Sequence, residues 1–392
     1  VNGVNTPLVY DGANFATTPA ITGVSGGAST LSYVWSFKNR LWFIKKGTLD
    51  AYYLPVDVVG GAAVVFPLGA VFALGGELVF GASWSLDDGA GLNASCVFVT
   101  SEGEVAIYQG SDPSNAADWQ LKNVYKMGKP LGPQAWMTAG GDLVTATNIG
   151  FVPLSQAIQK ELAVLGLSAV SYPIETAWNK EVDARPGGEW KVEIWPEKQM
   201  VVLALPEYPG SRSEMFIVNA RTGAWSNFTG LQAECLHLFQ GDMFVGTPDG
   251  LIARMETTGT DFGIPYTATY VPMFDDFGTP GSVKQLGAAR AVFLAPADPK
   301  EKIAGQVNYV VSLPVAPSAF QVLATSAWGS GAWGSAVWGQ ARDKNTYQVW
   351  RGISGFGEAI SVSVQVTSGS VTPPDVELVR LDLSAQTGAS IA

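Results

Sequence analysis

One short pattern recurs five times along the chain: a few apolar or β-branched residues, a turn closing on glycine, then a second apolar run. It reads Leu41-Trp42-Phe43-Ile44-Lys45-Lys46-Gly47 before Leu49 and Tyr52, and Val97-Phe98-Val99-Thr100-Ser101-Glu102-Gly103 before Val105 and Ile107. Three further copies close on Gly150, Gly223 and Gly250, with Phe151, Trp225 and Leu251 behind them. Each predicts a β-hairpin, because glycine takes the positive φ of a tight turn and the flanking runs supply a buried face. The turns at 47, 103 and 150 are spaced close to the roughly 40–50 residues of a four-stranded propeller blade. The longer step to 223 and the short one to 250 make the propeller irregular, and WD40 and kelch signatures are absent.

The long step holds the helical signals. Ile158, Leu162 and Leu165 form one apolar stripe, with Ser155 as the expected N-cap and Gly166 near its end. Ile174, Trp178 and Val182 form a second stripe, stopped by Pro186-Gly187-Gly188. Both are expected to be packing helices inserted between blades.

Beyond about residue 260 the texture changes. Gly263 to Tyr266 and Asp275 to Gly281 read as loops, and Ala291–Leu294 and Val307–Val315 as strands. Three Trp-Gly pairs follow at Trp328, Trp333 and Trp338. Their five-residue period fits neither helix nor strand, so they predict a looped ribbon with Trp anchors, packed on the domain's own sheet, on a neighbouring subunit or against a sugar. Ile360, Val362, Val364 and Val366 alternate with Ser361, Ser363, Gln365 and Thr367, the pattern of a half-exposed antiparallel strand. The next apolar alternation changes parity at Leu378-Val379, which predicts a bulge. The expected fold is all-β: an irregular β-propeller-like core over 1–261 with helices inserted at about 155–185, and a β-sandwich-like, β-rich region over 262–392 carrying the Trp-Gly repeat.

Charge constrains function. The 392 residues are 47% hydrophobic and only 15% charged, which suits a surface covered by neighbouring subunits. A net charge of −11 argues against tight nucleic-acid binding, which depends on Lys and Arg. Val58 to Gly76 lacks charge but is broken by glycines and Pro67; it is expected to form two buried strands around Pro67-Leu68-Gly69 rather than a membrane span. The first residue is Val1 rather than Met, so a fragment or processed product is expected.

The sequence has no Walker A loop, HExxH or CxxC. The single histidine, His237, excludes a multi-histidine metal site and is expected to be a satisfied structural residue of an apolar strand. Cys96 and Cys235 are expected to be small buried residues. Ser85-Leu86-Asp87-Asp88-Gly89 resembles the start of an Asp-box but lacks its Thr-Trp, and reads as a turn. Asp275-Asp276 is weak support for a calcium site, and the sequons at Asn93 and Asn227 mean little without a secretory signal. No catalytic, cofactor-binding or metal-binding residue and no cofactor is expected, and the protein is expected not to be an enzyme.

Several segments together resemble the tail nozzle (tail tubular protein B) family of podoviruses, the short-tailed bacteriophages. They are Pro7-Leu8-Val9-Tyr10-Asp11-Gly12, Asn39-Arg40-Leu41-Trp42-Phe43, Phe66-Pro67-Leu68-Gly69, Thr145-Ala146-Thr147-Asn148-Ile149-Gly150, Asn219-Ala220-Arg221-Thr222-Gly223-Ala224-Trp225 and Val245-Gly246-Thr247-Pro248-Asp249-Gly250, with the Trp-Gly repeat behind them. Members of that family usually carry further N-terminal β structure, missing here. The resemblance implies a virion protein assembled in the host cytoplasm. It implies a homo-oligomeric ring, typically a hexamer, that continues the DNA-ejection channel below a head-tail adaptor and attaches tail fibres or a needle. DNA would pass non-specifically through an acidic lumen, and no stable membrane insertion is expected. The alternative expectation is a carbohydrate-binding or glycoside-cleaving propeller of a virion or cell surface, with acids and aromatics gathered on the propeller axis. A third is a monomeric cellular scaffold that binds protein partners.

Overall fold

The computed structural model describes residues 1–85, 94–208, 214–319, 344–369 and 374–390. It divides into Val1–Met255 and Glu256–Ala392, a boundary slightly earlier than the sequence texture suggested.

The first unit contains, among the described residues, five antiparallel sheets of three or four strands that follow one another along the chain. The first sheet is β1 (Leu31–Phe37), β2 (Arg40–Lys45), β3 (Asp50–Tyr53) and β4 (Val64–Pro67). The second is β5 (Leu78–Trp84), β6 (Ser95–Thr100), β7 (Glu104–Gln109) and β8 (Gln120–Lys126). The third is β9 (Trp136–Ala139), β10 (Asp142–Thr147) and β11 (Gly150–Pro153), and the fourth is β12 (Lys191–Trp195), β13 (Met200–Ala204), β14 (Glu214–Asn219) and β15 (Trp225–Thr229). The fifth is β16 (Cys235–Phe239), β17 (Asp242–Gly246) and β18 (Ile252–Arg254). In each, neighbours in sequence are neighbours in space.

All five turn glycines lie where the repeat places them: Gly47, Gly103, Gly223 and Gly250 between β2 and β3, β6 and β7, β14 and β15, and β17 and β18, and Gly150 as the first residue of β11. At Gly103 the requirement is twofold. Its φ is +82°, and a Cβ there would sit 2.4 Å from the Gly128 carbonyl.

The sheets pack face to face in chain order, which explains strands that are apolar at every position. In β6, Cys96 and Phe98 join the core shared with the first sheet, while Val97 and Val99 join the core shared with the third. A strand covered on both faces has no solvent side on which to place polar residues. The first core is aromatic: Trp42 stacks on Trp35 at 5.8 Å and on Trp119 at 5.4 Å between ring centroids. Phe151, Trp178, Trp190 and Phe216 fill the core between sheets three and four, and Trp195, Met215, Met243 and Val245 the one between four and five. This succession of stacked meanders is the propeller-like core expected. The far face of the first sheet is covered by Ile21, Val24 and Ala28 of the N-terminal segment.

The helical insertion is present as α1 (Leu154–Gln159), α2 (Leu162–Leu165) and α3 (Glu175–Ala184). Its first stripe is not one helix: Lys160 and Glu161 are extended. The break returns Leu165 to the same core that holds Leu154 and Ala157. Ser155 is not the cap; Pro153 occupies that position, and the Ser155 hydroxyl donates to Asp142 at 2.5 Å. The stretch Val58–Gly76 also departs from expectation. Val64 and Val65 are each 47% exposed because β4 is the outermost strand of its sheet, and Leu68 and Phe72 are buried from a turn. No helix among the described residues is long and apolar enough to cross a membrane.

The second unit is a two-sheet sandwich. One sheet contains β19 (Thr267–Tyr270), β23 (Ile360–Thr367) and β21 (Lys302–Val307), with β23 central. The other is built on β20 (Ser282–Ala295), flanked by β22 (Asn345–Gly352) and β24 (Glu377–Ser390). Ala291, Phe293 and Val364 form the buried core between them. The bulge lies where the parity change places it: Leu378 pairs with Phe293 and Arg380 with Val292, leaving Val379 without a partner.

Three expectations fail here. β23 is buried on both faces, because its polar side is met by other polar groups. Ser361 donates to the Pro272 carbonyl at 2.7 Å, and Gln306 donates to Ser363 at 2.9 Å. The strand expected over 307–315 instead ends at Val307, where Asn308 and Tyr309 take left-handed conformations at φ +51° and +63°. Thr260–Asp261 and Ile264–Pro265 form a small ladder in a segment expected to be loop. Asp87, Asp88, Trp328, Trp333 and Trp338 lie outside the described residues.

Candidate functional site

The first unit has a cavity of about 310 Å³ bordered by the first strands of four sheets. Tyr33 comes from β1, Trp136 and Thr138 from β9, Lys191 and Glu193 from β12, and Leu236 and His237 from β16; Gln134 precedes β9. Convergence of leading strands on one space is what a propeller axis requires, and it gathers residues about 200 positions apart.

Strand alternation decides which side chains arrive. On β12, Val192 and Ile194 join the core with the third sheet, so Lys191 and Glu193 occupy the opposite parity. On β16, Leu236 and Leu238 pack on the fourth sheet, and His237 falls on the alternate, exposed face. The expectation of a packed, satisfied histidine is therefore corrected: among the described residues the imidazole makes no hydrogen bond, and it faces Glu193.

Trp136 is held rigidly. One ring face stacks on Phe80 of β5, with centroids 5.6 Å apart and planes 12° apart. Its indole N–H donates to the Tyr33 hydroxyl at 3.0 Å. Burial pushes the Tyr33 phenol up to about 12, so it stays protonated at neutral pH. Burial also raises the Glu193 carboxyl above the ordinary range, while His237 and the Leu238 backbone N–H pull it back. Among the described residues the side chains of Gln134, Thr138 and Lys191 make no hydrogen bond or ion pair. The cavity thus combines a fixed aromatic wall with polar groups that have no internal partner. Glu193 is the one carboxylate among its described lining residues. Paired-acid glycoside cleavage uses two carboxylates, and the described lining supplies one.

The other sequence candidates do not converge. Cys96 is buried in the first core, and desolvation raises its thiol far above the usual range. Cys235 is exposed, contrary to expectation, because it shares the open face of β16 with His237. Asp275 and Asp276 accept the backbone N–H groups of Phe277 at 2.7 Å and Gly278 at 2.9 Å, which closes a turn. No group of three or more potential metal ligands occurs among the described residues. Lys191 and Glu193 carried a legible signal, a polar alternation within Lys191-Val192-Glu193-Ile194. Nothing local linked them to Tyr33 or Trp136.

No protein-family model matches the chain, and no curated protein matches it. Among solved structures it is similar to Chaetomium thermophilum Sqt1 bound to the N-terminus of the ribosomal protein L10, at 19% identity and a TM-score of 0.35, covering 59% of this chain and 60% of that one. It is also similar to a protein from Lactobacillus plantarum, at 14% identity and a TM-score of 0.30, covering 64% of this chain and 76% of that one. The chain therefore spans about 60% of the length of the Sqt1 chain. Both likenesses are distant, and the propeller-like assignment rests on the order and stacking of the sheets.

Proposed function

We propose that the protein is a non-enzymatic structural subunit that assembles into a homo-oligomeric ring, the nozzle of a short bacteriophage tail. In that role it continues the DNA-ejection channel below a head-tail adaptor and attaches distal fibres or a needle. The observation that carries the assembly reading is apolar surface left uncovered in both units. On the fifth sheet, Phe239 and Ile252 stand on the open side, with Ile252 80% exposed. In the second unit Met273 is 84% exposed and Val315 83%, with Tyr309 and Phe262 also open to solvent. Side chains of this size, on a chain with so few charges, are suited to burial against another subunit. The tail-specific part of the reading rests on the short motifs that resemble podoviral nozzle proteins, and the net charge of −11 is compatible with DNA passing without adhesion.

Light scattering on the purified chain tests assembly. The expected particle is a closed multimer of the 41.3 kDa subunit, and Phe239→Asp with Ile252→Asp should shift it toward monomer. A monodisperse monomer at tens of micromolar, together with absence of the chain from purified virions, would overturn the reading.

A further inference from the structure

We propose that the cavity on the axis of the first unit is a saccharide-binding site, with Trp136 as the stacking platform and Glu193 and Lys191 as the groups that hold the hydroxyl rim. This goes beyond the assembly reading and does not depend on it.

The chemistry of the lining selects the ligand class. Trp136 is backed by Phe80 on one face and oriented by its bond to Tyr33, so its placement costs no ordering on binding. A pyranose ring offers such a platform an apolar face of C–H groups. Around that platform stand a carboxylate that only accepts, an ammonium that only donates, and an amide and a hydroxyl that do both, from Glu193, Lys191, Gln134 and Thr138. Sugar hydroxyls donate and accept at once, so one neutral ring can satisfy the acid and the amine together.

Charged ligands fit less well. A cation attracted to Glu193 meets Lys191, and an anion attracted to Lys191 meets Glu193. A free α-amino acid carries its two charges on groups bonded to one carbon. Lys191 and Glu193 are two residues apart on one strand, a separation of roughly 6.7 Å between their Cα atoms. The cavity volume of about 310 Å³ lies at the lower end of small-ligand pockets, which suits one or two sugar rings. Lys191 has no ion-pair or hydrogen-bond partner for its side chain among the described residues, so its ammonium can reach a ligand without breaking an internal contact.

The test uses the full chain on an array of microbial surface oligosaccharides, followed by calorimetric titration with the strongest hit. Glu193→Gln keeps size and removes the charged acceptor; at least tenfold weaker binding is expected. Thr138→Trp fills the cavity from an exposed position and should abolish binding. Saturation-transfer NMR on the unaltered protein supplies a readout that needs no variant, and ring C–H protons on one sugar face should receive the most saturation. Absence of any array signal, preference for free amino acids, or binding unchanged in both variants would each overturn the proposal. So would saturation spread evenly over both faces of the sugar.

Discussion

Alanine replacements at Phe98 and Val97 test whether β6 is covered on both faces. Phe98 is fully buried and its ring meets those of Trp35, Trp42, Phe66 and Tyr108 at centroid distances of 5.7, 5.5, 5.8 and 5.7 Å. Removing a buried phenylalanine ring typically costs about 3–5 kcal/mol, and the edge-to-face contacts with Trp35, Trp42 and Tyr108 place Phe98→Ala near the upper half of that range. Val97 points the other way, into the core with the third sheet. Val97→Ala deletes two methyl groups, for which about 0.8 kcal/mol per group plus a cavity contribution gives about 2 kcal/mol. With a guanidinium slope of about 5 kcal/mol per molar, the unfolding midpoint should fall by about 0.8 M for Phe98→Ala and about 0.4 M for Val97→Ala. Near-ultraviolet circular dichroism of the full chain provides the assay, with Phe228→Ala as the control. Phe228 is 40% exposed on the outer strand β15 and should cost under about 1 kcal/mol. A Val97→Ala variant within about 0.5 kcal/mol of the parent would refute the reasoning. It would mean that the face toward the third sheet is not filled and that the sheets do not stack in sequence.

Two further outcomes follow from buried and paired carboxylates. Glu104 is buried and accepts the backbone N–H groups of Ala73 at 3.2 Å and Leu74 at 2.8 Å, so Glu104→Ala leaves two donors unsatisfied. A loss of about 2–4 kcal/mol is expected, with faster hydrogen exchange at Ala73 and Leu74 than in the core strands, whereas Glu104→Gln should be milder. In the second unit Arg290 donates twice to Asp382, at 2.9 and 2.6 Å, and holds its carboxyl below the ordinary range, with Arg380 adding to the effect. A depressed carboxyl stabilises the fold above its unfolded value near 3.9 and loses that contribution as pH falls through the lower folded value. Carboxyl carbon NMR should therefore show Asp382 titrating higher in Arg290→Met than in the parent, and an unchanged midpoint would contradict the pairing.

The parts legible in the sequence were those governed by neighbours along the chain. A turn that needs positive φ selects glycine locally, which is why Gly47, Gly103, Gly150, Gly223 and Gly250 marked hairpins without knowledge of the fold. The parity change at Leu378-Val379 announced a bulge for the same reason, since side-chain alternation is a property of one strand. The run Cys96-Val97-Phe98-Val99 was legible as a strand with a buried face, and its burial on the second face came from the third sheet.

What surrounds a strand is not written in that strand, and there the tertiary structure decided. β23 alternates as if half exposed, yet Pro272 and Gln306 cover its polar side, because hydrogen bonding lets serine face a polar interior as readily as water. His237 reads as a core residue among leucines until the stacking direction of the fifth sheet sends the leucines inward and the imidazole out. The axial cavity is the extreme case. Tyr33, Trp136, Glu193 and His237 meet because leading strands of separate sheets converge on one line. That convergence comes from the packing angle between successive sheets, a quantity set by whole interfaces and carried by no single segment of the chain.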